Sequence, residues 1–210
     1  MYVNDSAQSA QSAYAPPRSE FVQAVPDGVY VVKRPWISFF NRTFRVFDAG
    51  GNLVAFVRHP LMRMREQFQI FADEAMHQPI ATIQARQIIA LNLIYDVTDP
   101  QTHAWIGTLR SRGLKSMVRD TWELLDAQEQ PQGLLEELGL SWLRRIFPIL
   151  LGHWRVLLGS AEVAKIDQVF RFFVKEYRLT VAVEGKNVDT RFLLACALLA
   201  LMRENRREQQ

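Results

Sequence analysis

From Phe192 to Met202 the chain runs Phe192-Leu193-Leu194-Ala195-Cys196-Ala197-Leu198-Leu199-Ala200-Leu201-Met202, without one polar side chain. Strong helix formers dominate and no Gly, Pro or β-branched run interrupts, so Asp189 to Arg203 predicts a helix. Either Asn187 or Asp189 can cap its start by accepting a free backbone N–H. A helix that is apolar all round has no face to offer water and must be enclosed on every side. A bilayer is a poor enclosure, because the apolar run rises only about 16 Å against roughly 30 Å of hydrocarbon. The remaining candidate is the chain itself.

The chain has 210 residues, 49% of them hydrophobic, enough for one domain with a large core. A formal charge of +3 permits anionic partners without demanding one. The single cysteine, Cys196, lies inside the apolar run, where it packs as a small hydrophobe. No charged start followed by an apolar stretch opens the sequence, so the expected location is the cytoplasm. Residues 1–25 are rich in Ser, Ala, Gln and Pro and predict a disordered tail. Residues 26–205 then form the domain, and 206–210 a charged tail.

Before the helix, short apolar or alternating runs are separated by turn residues, the pattern of strands. The runs are Val29 to Lys33, Phe44 to Phe47, Leu53 to Val57, Gln67 to Phe71, Ile80 to Ala85 and Leu91 to Tyr95. They continue with Ala104 to Leu109, Thr121 to Leu125, Gly133 to Leu138, Trp154 to Leu158, Glu162 to Phe170 and Phe172 to Val183. Turn residues between neighbours predict a meander of hairpins. Two packed sheets leave no room for an all-apolar helix, whereas a sheet closed into a barrel does. The expected fold is therefore mostly β: a closed 12-stranded antiparallel barrel around the C-terminal helix. The hairpins share a plan of aromatic, Asp, loop and a strand carrying a small residue, as in Phe47-Asp48 to Ala55, Tyr95-Asp96 to Gly107, and Trp122 to Asp126 with Gly133. One stretch departs from it. Leu140, Leu143, Ile146, Phe147 and Leu150 share a helical face opposite Arg144 and Arg145, predicting a short extra helix within 139–151 that serves as a lid.

Asp-containing hairpins closed by Asp189-Thr190-Arg191-Phe192 and a Leu/Ala-rich helix, with Phe47-Asp48-Ala49-Gly50-Gly51-Asn52, resemble the phospholipid scramblase and LURP-one-related group. The resemblance spans roughly residues 28 to 203 and implies the Tubby C-terminal-like fold, a 12-stranded barrel around a central helix. It also implies a connection with membrane lipid, and calcium as a possible ligand. Animal scramblases carry a Pro-rich tail, a palmitoylated cysteine-rich stretch and a calcium-binding segment; here only Pro16-Pro17 and one cysteine stand in those places.

No nucleophile elbow, P-loop or dinucleotide fingerprint occurs, so the chain reads as non-enzymatic. Glu74 and His77 have the spacing of helical metal ligands, but Pro79 and the neighbouring turn exclude the helix. Asp96 and Asp99 fall in one predicted turn and are weak calcium candidates, lacking the alternating ligands of an EF-hand loop. No cofactor is expected. Basic groupings are more informative. Arg58, Arg63 and Arg65 follow the third strand, Arg110, Arg112, Lys115 and Arg119 follow Leu109, and Arg144 and Arg145 lie beside Trp142. Each basic side chain near an anionic membrane contributes about 1 kcal/mol. The expected partner is thus anionic phospholipid at the cytoplasmic membrane face, with possible participation in scrambling. The alternative is a protein-interaction scaffold, stress- or transcription-related. Nucleic acid is not an expected partner, because no run combines dense basic residues with exposed aromatics.

Overall fold

The computed structural model describes residues 28–35, 41–60, 67–89, 92–111, 121–138, 152–171 and 174–207. The tail 1–25, the expected helix within 139–151 and residues 208–210 lie outside them. Twelve strands precede the helix: β1 Val29–Pro35, β2 Asn41–Phe47, β3 Leu53–Pro60, β4 Gln67–Phe71, β5 Pro79–Ile89 and β6 Asn92–Thr98, then β7 Trp105–Ser111, β8 Thr121–Leu125, β9 Pro131–Leu138, β10 His153–Leu158, β11 Ala161–Val169 and β12 Val174–Val181. Each pairs antiparallel with its sequence neighbours, and β1 closes the sheet against β12, so the meander is a complete barrel. A 3-10 helix, Val183–Asn187, leads into α1, Thr190–Arg207.

The enclosure anticipated for α1 is present. Every side chain from Phe192 to Met202 is buried, with Leu194 4% exposed and Leu198 fully covered. Around it the strands alternate. Tyr30 and Val32, Phe44 and Val46, Ala55 and Val57, and Leu109, Val156 and Ile166 belong to one core cluster with the helix. Burial of this area is the main favourable term in such a fold. The fit is tight enough to dictate residue size. A Cβ on Gly107 would run into the Phe192 ring, so glycine lets β7 pass close to the first turn of α1.

Strand ends differ from the sequence reading where alternation outruns the turn signals. β6 extends through Asp96 to Thr98, since Tyr95 and Val97 point into the core and Asp96 between them points out to Arg86 on β5. Asp96 and Asp99 are therefore not in one turn. Arg110 lies within β7, not in a connection, because buried Leu109 and Ser111 flank it. Arg58 likewise falls inside β3, one residue beyond buried Val57. The last strand stops at Val181, and Val183 belongs to the 3-10 helix. At the other extreme, α1 continues through Arg207, two residues into the stretch expected to be tail.

The turns show why the hairpins look alike. Asp48, Asp73, Asp99 and Asp126 each follow an even-numbered strand and accept backbone N–H groups two to five residues on, from Asn52, His77 and Gln78, Gln101 and Thr102, and Gln128 and Gln130. These are the local bonds that make aspartate a turn residue. In the third hairpin the repeated residue is Asp99 and not Asp96. Since neighbours alternate in direction, all four aspartate turns lie at one rim. The opposite rim is where β1, β3, β5, β7, β9 and β11 end.

Candidate functional site

At the aspartate rim the start of α1 is locked to the barrel. Of the two capping candidates, Asp189 is the one used: its Oδ1 accepts the backbone N–H of Arg191 at 2.9 Å. The Arg191 side chain, almost wholly buried, donates from Nη2 to Asp189 Oδ2 at 2.7 Å and from Nη1 to Asp99 Oδ2 at 2.6 Å. Nη1 also reaches the Ile80 carbonyl at 3.3 Å. Burial works against the charged form of Asp99, but the Thr102 and Gln101 N–H groups and Arg191 outweigh it and bring its pKa down to about 2. A cleft of about 150 Å³ opens beside this group, lined by His77, Gln78, Pro79, Ile80, Asp99, Pro100, Gln101 and Arg191. With the guanidinium committed to two carboxylates and Asp99 ionised at neutral pH, the set is suited to fixing the helix in register. The motif carrying the family resemblance, Asp189-Thr190-Arg191, is thus a cap and a clamp.

Neither weak calcium candidate has its carboxylate to spare. Asp96 accepts from Arg86 at 2.7 and 2.8 Å and from the Thr108 hydroxyl at 2.6 Å, and Asp99 is held as above. Among the described residues no group of three or more His, Cys, Asp or Glu side chains is placed to hold a metal ion. Glu74 and His77 sit in a turn, with Met76 at φ 61°, and Glu74 grips Arg45 through both oxygens at 2.8 and 3.0 Å.

Of the expected lipid-contacting residues, the two that are described, Arg58 and Arg110, lie on strands β3 and β7 and face outward. Arg110 donates to Glu123 at 2.8 Å, so this member of the expected lipid-contacting set has a carboxylate beside it. Arg86 is paired with Asp96 and Glu129, and Arg155 with Glu136. Arg58 is different: it is exposed, and its guanidinium stands 5.9 Å from the centre of the Phe56 ring. Phe56 alternates with core residues Ala55 and Val57 and so lies on the outer side, where Arg45 covers it from the neighbouring strand at 5.6 Å. Lys33 stands 5.1 Å from the Phe47 ring. Sequence reading missed Lys33, Phe47 and Phe56 as a group, because only strand register brings them together.

The other expected contacts, Arg63, Arg65, Arg112, Lys115, Arg119, Trp142, Arg144 and Arg145, lie outside the described residues. The strands that their segments join, β3 to β4, β7 to β8 and β9 to β10, meet those segments at the rim opposite the aspartate turns. That rim exposes Leu138 at 38% and Phe170 at 52%. Near it, Arg34, Lys175 and Glu137 fall in phase with core residues Val32, Tyr177 and Leu135 of β1, β12 and β9 and are buried, with Arg34 opposite Lys175 in register. These inward charges also escaped the sequence reading, although each is a polar residue at a core parity position.

The solved structure of an Arabidopsis thaliana protein, determined by X-ray crystallography, superposes with a TM-score of 0.50 at 16% identity, covering 85% of this chain and 93% of that one. Likeness at that identity concerns the fold. No curated protein matches in sequence. The family model described as LURP-one-related matches residues 29–200, from the start of β1 well into α1. With its closed 12-stranded barrel around a C-terminal helix, the chain belongs to the LURP-one-related family.

Proposed function

We propose that the protein is a non-enzymatic binding domain that docks on anionic phospholipid at the cytoplasmic face of a membrane. The observation carrying this reading is the strand order, by which the segments bearing Arg63 and Arg65, Arg112, Lys115 and Arg119, and Trp142, Arg144 and Arg145 all join strands at one rim. In this reading each basic residue of those segments adds about 1 kcal/mol of attraction to an anionic surface. Exposed Leu138 and Phe170 at the same rim suit the boundary between headgroups and acyl chains. The segment joining β1 to β2 there reads Trp36-Ile37-Ser38-Phe39-Phe40, an apolar sequence of the same kind.

Docking fits better than passage. No described helix is long and apolar enough to cross a membrane. A spanning barrel needs an apolar outer band, whereas this outer face carries the ion pairs of Arg86, Arg110 and Arg155. With α1 filling the interior, the described residues offer no polar path through the barrel along which a headgroup could be moved. Any part in scrambling would therefore lie in recruitment.

Co-sedimentation with phosphatidylcholine vesicles, with and without phosphatidylserine, tests the reading. Binding is expected only with phosphatidylserine, weakening as salt rises and when Arg112, Lys115, Arg144 and Arg145 become Ala. Equal indifference to both vesicle types would leave the protein-scaffold alternative in its place.

A further inference from the structure

The outer wall formed by β12, β1, β2 and β3 differs from the rest of the barrel in its charge. Lys33, Arg58 and Arg178 are exposed there, and none has an ion pair with any described residue. The carboxylates on and beside the wall are engaged elsewhere. Glu176, opposite Lys33 in register, is held by Arg171 at 3.5 Å, and Glu74 by Arg45 at 2.8 Å. Asp167, opposite Arg178, lies 2.7 Å from His153. By contrast, the outward arginines of β5, β7 and β10 each have a carboxylate partner.

We propose that this wall, with Lys33 and Arg58 at its centre, makes phosphate contacts when the barrel docks on anionic phospholipid. The inference rests on the phospholipid reading above and adds a face to it. Register puts Lys33 beside Arg45, and Arg58 beside Thr43, so the Lys33 and Arg58 backbones stand about 12 Å apart across two strand spacings. Both are two residues from the strand ends at the rim opposite the aspartate turns, and Phe170 is exposed at the end of neighbouring β11. The Phe47 and Phe56 rings hold the cationic heads against the wall by cation–π attraction, which leaves their charge uncancelled.

Shape selects the occupant. Every described strand is paired on both sides, so the described sheet gives a peptide strand no free edge. The outside of a closed barrel is convex and gives an extended acidic peptide no groove, whereas an anionic membrane presents charge over an area. Nucleic-acid bases need open aromatic faces, and here the cations occupy them.

The test uses the full chain on phosphatidylcholine vesicles with and without phosphatidylserine, with polyglutamate as a second probe. Lys33→Gln combined with Arg58→Gln is expected to weaken binding to phosphatidylserine vesicles about thirtyfold. Arg155→Gln, which removes a charge already matched by Glu136, should change it less than about twofold. Arg58→Lys restores charge and is expected to retain most of the binding. Unfolding midpoints equal to wild type show that each variant is folded. If the double variant binds like wild type while the rim variant does not, docking belongs to the rim alone and the wall is overturned. A wild-type chain that ignores phosphatidylserine overturns the wall and the phospholipid reading together. Loss of polyglutamate binding greater than loss of vesicle binding would assign the wall to an acidic polypeptide and overturn it as well.

Discussion

The two faces of the same strands are built under opposite rules. On β3, Ala55 and Val57 vanish against α1 while Phe56 and Arg58 between and beyond them face out; on β7, Leu109 is core and Arg110 a surface ion pair. Inside, shape is fixed by contact, to the point that a Cβ on Gly107 would displace the Phe192 ring. Outside, shape is loosely constrained and charge distribution is what varies around the barrel. The contrast teaches where stability and binding reside: inward substitutions should unfold the protein, and outward ones should leave it folded and change what it meets.

The largest effect expected belongs to Arg191. Arg191→Met strands Asp99 and Asp189 at the start of α1, and loss of one member of a buried charged set costs about 3–5 kcal/mol. Urea unfolding should show that loss; a change below 1 kcal/mol, on the order expected of surface pairs, would erase the distinction between the faces. Leu198→Ala removes a fully buried side chain from the middle of α1 and should cost about 2–5 kcal/mol by the same assay.

Acid should reveal the clamp in a second way. Asp99 titrates at about 2 when folded, below the ordinary carboxylate value of 3.8, so its contribution is fully present above pH 4 and is lost as pH falls through about 2. The amount is on the order of 2 kcal/mol. Unfolding measured between pH 5 and 2 should show a steeper decline for wild type than for Asp99→Asn; parallel declines would mean that Asp99 is no more engaged than an outward carboxylate. At the small end, Arg155→Ala on the outer face should cost less than about 1 kcal/mol, since its partner Glu136 remains partly solvated.

The same contrast explains what could be read from sequence. The inner face is written in local patterns: an uninterrupted apolar helix from Phe192 to Met202, alternation in each strand, and aspartates at the turns. Those patterns carry the barrel, its strand number and the family resemblance. Strand ends slipped where a polar residue belonged to the outer parity, as at Asp96 and Arg110. The outer wall was not legible, because Lys33, Arg58 and Arg178 are distant in the chain and meet only through the pairing of β12, β1, β2 and β3. Arg191 was visible within its motif, but its partner Asp99 lies in a turn far upstream and is known only from the closed barrel.

The enclosure of α1 is the claim on which both faces depend, and the chain carries a single natural probe for it. Cys196 is fully buried at the middle of the helix, and burial pushes its thiol pKa well up. With a colorimetric thiol reagent, the native protein should remain unlabelled except through global unfolding, and should react completely once guanidinium unfolds it. Labelling of the native protein at the rate of an exposed thiol would contradict a helix sheathed by the barrel.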